Sequence, residues 1–138
     1  MRKNFWIALI LLFCMVQANA SDKVVVAYVT SWSSGEVDPT VMTHINYAFG
    51  HVNETFDGVG IANPDRLRQI ATLKKKEPRL KVLLSVGGWG SGRFSEMAAD
   101  STLRKAFAKD CRRVVDSYRL DGIDIDWEYP TQSSAAIS

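Results

Sequence analysis

Apolar residues fall into short blocks along the chain, and the period inside each block sets the element it predicts. Residues 23–30 are rich in valine with no interior charge, which predicts a first strand buried on both faces, as in a parallel sheet. Residues 31–39 are turn-like. Residues 44–49 predict a second strand, and residues 50–61, rich in glycine and containing Asp57-Gly58, predict a loop. Asn63-Pro64 opens a helix, with asparagine as cap and proline in the first turn. Leu67, Ile70, Ala71 and Leu73 form its apolar stripe, and Pro78 marks its end. Residues 80–86 predict a third strand, closed by Gly87-Gly88. A longer helix spans residues 101–119, because Leu103, Phe107, Cys111, Val114, Val115 and Tyr118 recur at three- and four-residue spacing. Strand, helix, strand, helix, strand predicts an α/β chain with a parallel sheet.

The last block differs from the others. Between the turn signal Asp121-Gly122 and Pro130, residues 123–128 alternate apolar and acidic, which is strand periodicity. Asp124, Asp126 and Glu128 then share one face, and Ile123, Ile125 and Trp127 share the other. Carboxylates two residues apart on a strand sit roughly 6–7 Å apart. If they are partly buried, ionising all three together is costly, so at least one should titrate high. Such an arrangement keeps one carboxylic acid protonated while a neighbour stays charged. Spacing alone also fits the wet face of an antiparallel strand. Against that stand the single sign of the charges and the company of Trp127 and Pro130. A calcium loop is ruled out because its sixth position needs glycine and holds Tyr129.

Residues 1–20 have the pattern of a secretory leader: Arg2 and Lys3, an apolar run from Phe5 to Val16 too short to span a bilayer, and the small-x-small site Ala18-Asn19-Ala20. Phe13 is too bulky for Cys14 to be a lipoprotein site. The expectation is a secreted or periplasmic protein, cleaved after Ala20 and free of the membrane thereafter. Removing 20 of 138 residues leaves 118, and the loss of Arg2 and Lys3 from 17 basic residues leaves 15 against 15 acidic ones. A mature net charge of zero gives no support for nucleic acid or an anionic membrane as partner. Cys111 is then the one remaining cysteine and cannot form an internal disulfide; its place on the helix stripe reads as core. His44 and His51 have no partner at metal-ligand spacing, and no metal or cofactor is implied. The run Lys74-Lys75-Lys76 reads as a solvated face at a helix end.

The stretch from Asp121 to Pro130, Asp-Gly-x-Asp-x-Asp-x-Glu followed by Tyr-Pro, resembles the signature of glycoside hydrolase family 18, the chitinase-type hydrolases. Ser85-x-Gly87-Gly88-Trp89 is similar to that family's third-strand signature. The resemblance implies a (β/α)8 barrel, of which this chain would carry about the first four β/α units as residues 21–138. A barrel of this kind takes about 250 residues, and residues 131–138 form only a polar tail. An incomplete barrel leaves its first and fourth strands with open edges. The chain alone is therefore expected to be inactive or unstable unless it pairs with another copy or another half.

For the site, the resemblance implies that Glu128 is the general acid and then the base. Asp126 would orient the 2-acetamido group of the sugar, and Asp124 would share charge and proton with Asp126. Tyr28 and Ser85 would hydrogen-bond Asp124, Gly87 and Gly88 would allow close approach, and Tyr129 would line the sugar site. Trp89 would stack on a sugar ring, with core packing as the open alternative. Trp32, Asn46, Tyr47 and Phe49 also match family habits but read as barrel packing. Asp121 reads as a structural turn residue. The implied substrate is chitin or chitooligosaccharide, hydrolysed with help from its own acetamido group. An endo-β-N-acetylglucosaminidase and a non-catalytic, lectin-like sugar binder are the other classes the resemblance allows.

Overall fold

The computed structural model describes residues 23–130, so both the leader expected at residues 1–20 and the tail at 131–138 lie outside the described residues. Four parallel strands form the sheet: β1 (Val26–Thr30), β2 (His44–Val52), β4 (Lys81–Gly87) and β5 (Gly122–Asp126), in the order β1-β2-β4-β5. A short strand β3 (Val59–Ile61) folds back antiparallel on β2. Helix α1 (Pro64–Ala71) crosses from β3 to β4, and α2 (Phe94–Ala99) and α3 (Ser101–Tyr118) cross from β4 to β5. The crossover from β1 to β2 carries only a 3-10 turn, Pro39–Val41.

Register places two sets of side chains on opposite faces. Ile45, Tyr47, Val82, Leu84 and Val86 point toward the helices and are buried with Leu67 and Ile70 of α1, Phe94 and Met97 of α2, and Phe107 and Val114 of α3. Tyr28, Asn46 and Leu83 lie side by side on the other face, as do Thr30, Ala48, Ser85 and Asp124 one step further along. The helix starts follow their caps. Asn63 accepts from the Arg66 amide, with Pro64 in the first turn, and Asp100 accepts from the Thr102 and Leu103 amides.

Three expectations are corrected here, and one short helix was not foreseen. Residues 50–61 are not a loop: β2 runs on to Val52, and a tight turn returns the chain as β3. Asn53 accepts from the Asp57 and Gly58 amides at 3.0 and 3.1 Å, and Asp110 of α3 accepts from the Val59 amide at 2.8 Å. Asp57-Gly58 between Val52 and Val59 was the hairpin signal. The first strand is not buried on both faces; among the described residues β1 has one neighbour, and Val24, Val25 and Val26 are exposed. Helix α2 had no apolar period long enough to be read. Lys75 and Lys76 are exposed as a solvated face requires, but Lys74 is half-buried and donates to the Arg119 carbonyl, at the C-terminal end of α3, and to Asp121 at 2.8 Å. Asp121 also accepts from the Val82 amide at 2.9 Å, the structural role its sequence position suggested.

Among the described residues no helix is long and apolar enough to cross a membrane.

Candidate active site

Asp124 lies within β5, Asp126 ends it, and Glu128 follows beyond its C-terminal end, whereas Asp121 precedes the strand. Strand β5 ends at Asp126, so Glu128 is not on the strand face as periodicity suggested; it follows one residue beyond Trp127. Trp127 turns away toward the core, where its ring stacks on Phe94 at 5.5 Å and 15°. That anchor fixes the backbone between Asp126 and Glu128.

Asp124 receives two hydroxyl donors on the same oxygen. Ser85, adjacent on β4 and fully buried, donates to Oδ2 at 2.8 Å. Tyr28 donates to the same oxygen at 3.0 Å. Tyr28 sits on β1 and Asp124 on β5, the two ends of the sheet order, so the phenol spans the concave face over β2 and β4. The phenol itself titrates above its ordinary value: a hydrogen bond from Asn46 pulls it down, but burial, Asp124 and Asp126 outweigh that.

Asp126 titrates above the usual aspartate range. Burial is the first cause, followed by the charges of Glu128 and Asp124 and the hydrogen bond with Glu128. Neighbouring carboxylates disfavour one another's charged form, and Asp126 is the one so raised. The run therefore offers an Asp124 held by two hydroxyls, an Asp126 raised by burial and its neighbours, and Glu128 beyond the strand end. Tyr129 is raised too, first by its hydrogen bond with Glu128.

Gly87 and Gly88 are small because the protein itself needs the space. A Cβ on Gly87, at φ +131°, would stand 1.9 Å from the Asp126 carbonyl oxygen, and one on Gly88 would stand 3.0 Å from the Phe49 ring. The Gly88 amide donates to that same Asp126 carbonyl at 2.9 Å. The glycine pair thus sets the depth of Asp126 in the site. The peptide bonds Ala48–Phe49 and Glu128–Tyr129 are cis.

Three aromatic rings stand in solvent around this end. Trp89 is 84% exposed and meets the Tyr129 ring edge-on at 6.4 Å, and Trp32 is 73% exposed. Exposure settles the alternative left open for Trp89 against core packing. It also corrects the packing assigned to Trp32, whose place in a turn directly after a strand was the available signal. Asn46 and Tyr47 are buried as packing required, with the Tyr47 hydroxyl donating to the Ala62 and Asn63 carbonyls. Among the described residues no group of three His, Cys, Asp or Glu is arranged to hold a metal ion.

Residues 24–136 match the family model described as glycosyl hydrolases family 18. The chain is 35% identical over 133 residues to a protein named probable chitinase 2 from Drosophila melanogaster, covering 80% of this chain and 28% of that protein. It superposes with a TM-score of 0.77 and 36% identity on the chitinase domain of the spore coat protein CotE from Clostridium difficile, covering 88% of this chain and 35% of that one. The group IV chitinase of Ostrinia furnacalis, solved in complex with allosamidin, gives a TM-score of 0.74 and 34% identity, with 80% and 34% covered. The chain thus spans about a third or less of the length of these relatives.

Proposed function

The chain belongs to family 18 of the glycosyl hydrolases, and from that premise we propose that its carboxylate run serves substrate-assisted, retaining hydrolysis of β-1,4-linked N-acetylglucosamine polymers. One observation carries the reading. Asp124 takes two hydroxyl donors on one oxygen, beside an Asp126 whose titration is raised by burial and by the charges of Glu128 and Asp124.

In this reading Glu128 protonates the leaving glycosidic oxygen and later takes a proton from the attacking water. Asp126 orients the 2-acetamido group, whose oxygen attacks its own anomeric carbon, and offsets the positive charge that develops there. Asp124, held by Tyr28 and Ser85, shares charge and proton with Asp126. Tyr129 lines the sugar site and Trp89 offers a stacking face, with Trp32 as a second one. Only a β-linked sugar with an N-acetyl group at carbon 2 can supply this nucleophile, which selects chitin or chitooligosaccharide. That the relatives are named chitinases supports the same substrate. Secretion through residues 1–20 belongs to the proposal, as does association through the open edges of β1 and β5, with a second copy or a complementary half completing the barrel.

The test uses chitotetraose binding and hydrolysis of a fluorogenic chitobioside. The chain is expected to bind the sugar with changes at Trp89 and Tyr129, and to turn over where its sheet edges are paired. Glu128→Gln should keep binding and lose about 10²–10⁴-fold of turnover, the worth of general acid–base assistance. Normal turnover in Glu128→Gln, or no binding of chitotetraose, would refute the proposal.

A further inference from the structure

His51 has no role in the mechanism above, yet its ring reaches the loop that carries Trp89. It lies on β2 just past Gly50, the last residue paired with β4, where the strand continues into the hairpin with β3. Its partner across the hairpin is Gly60, so no side chain opposes the ring there. The hairpin is a firm base: the Asn53 amide donates to the Gly58 carbonyl at 2.8 Å, beside the bond from the Val59 amide to Asp110. From that base His51 Nδ1 shares a hydrogen bond of 3.0 Å with Ser91 Oγ.

Ser91 closes the turn that presents Trp89. Its amide donates to the Gly88 carbonyl at 3.0 Å, which makes Trp89 and Gly90 the central pair of a four-residue turn. Gly90, at φ +76°, has the backbone sign that a type II turn requires of its third residue. The first residue of the turn is tied to β5, because the Gly88 amide donates to the Asp126 carbonyl. The last is tied to β2 through His51. Between those ties the Trp89 ring stands in solvent and meets the edge of Tyr129. Little packing holds so exposed an indole, so the backbone beneath it sets its place.

We propose that His51 is a positioning residue for Trp89: through the Ser91 hydroxyl it holds the turn so that the indole stays beside Tyr129. A hydroxyl both donates and accepts, so the tie holds in either tautomer of the ring and in its charged form. Without the tie the turn samples other shapes, and apparent affinity for a sugar falls with the fraction of chains whose indole is in place. The functional sense of this tie rests on the reading of Trp89 as a stacking face, but the tie itself can be tested with no sugar present.

The experiment uses the full chain. Without sugar, NMR relaxation reads the backbone amides of Trp89 and Gly90. Ser91→Ala removes one hydroxyl, and both amides should gain fast motion while those of the β2–β3 hairpin do not. His51→Phe should do the same, and the double variant no more than either single one. Amides that keep their wild-type order in Ser91→Ala overturn the proposal. With chitotetraose, Ser91→Ala should weaken binding about 2–10-fold, the worth of one hydrogen bond. It should have no further effect once Trp89 is alanine, whereas a general structural role would persist there. Undiminished binding in Ser91→Ala, or the same loss in the Trp89→Ala background, overturns the proposal as well. A wild-type chain that binds no chitotetraose refutes the proposed function instead, and the sugar-free arm still decides the tie.

Discussion

Replacing Gly87 with alanine tests how the site is held at its depth. The added methyl would stand 1.9 Å from the Asp126 carbonyl oxygen and 2.5 Å from its carbonyl carbon, both backbone atoms. Relief requires β4 and β5 to part where Gly87 pairs with Asp126 and where the Gly88 amide donates to that carbonyl. Three costs add. A side chain at φ +131° costs about 1–3 kcal/mol. Pushing aside a packed neighbour costs about 1–3 kcal/mol, and the strained hydrogen bond about 1 kcal/mol. The total of about 3–7 kcal/mol is comparable with the whole stability of an ordinary domain. Gly90→Ala is the matched control: φ is +76° there, but nothing lies within 4 Å of the new methyl, so only strain of about 1–2 kcal/mol is expected. Urea unfolding of the wild type and both variants, with unchanged slopes, gives the two losses directly. A Gly87→Ala loss within about 1 kcal/mol of the Gly90→Ala loss would refute the claim that the Asp126 backbone dictates this glycine.

Other residues give further expectations. For Asp121, burial pushes its titration up, but bonds from Lys74, the Val82 amide and Lys81 outweigh it and hold the carboxyl below the usual range. Its stabilisation is present above the unfolded value near about pH 4 and fades as pH falls through the folded one. Asp121→Asn should therefore lose about 1–3 kcal/mol in urea unfolding at neutral pH and weaken the acid dependence of the midpoint. Asp126 has the opposite sign. Its raised value means that ionising it costs the fold stability as pH rises. Asp126→Asn should be as stable as the wild type or up to about 1 kcal/mol more stable at neutral pH, while losing function; a clear loss in the same unfolding assay would contradict the crowding of carboxylates. Cys111 is raised to about 11, chiefly by burial. Ellman's reagent should label it slowly in the native chain and at once in concentrated guanidinium, and equal rates would place the thiol at the surface.

Much of the site was legible in the sequence because strand periodicity carries directional information. Alternation placed Asp124 and Asp126 on one face, and the glycine pair marked where β4 ends, whereas β5 stops at Asp126, short of Pro130. The cap Asn63 acts through a local bond, so α1 began where it stands. The hairpin of β2 and β3 had its signal in Asp57-Gly58, which was read as a loop, and Asp110 of α3 adds a distant bond to the Val59 amide. Helix α2 was hidden because six residues give no period to read.

What the sequence by itself determined was the α/β order, the shared face of Asp124 and Asp126, and the residue types able to do acid–base chemistry. These follow from local rules of period, capping and turn chemistry. Only the tertiary structure decided who meets whom across the sheet. It curled the sheet so that Tyr28 of β1 reaches Asp124 of β5 across 96 residues, and it drew Trp127 onto Phe94. It left Trp32 and Trp89 in solvent, and it made Gly87 a contact of the Asp126 backbone. Contacts between residues far apart in the chain depend on sheet curvature and on volume in three dimensions. No local pattern encodes either one.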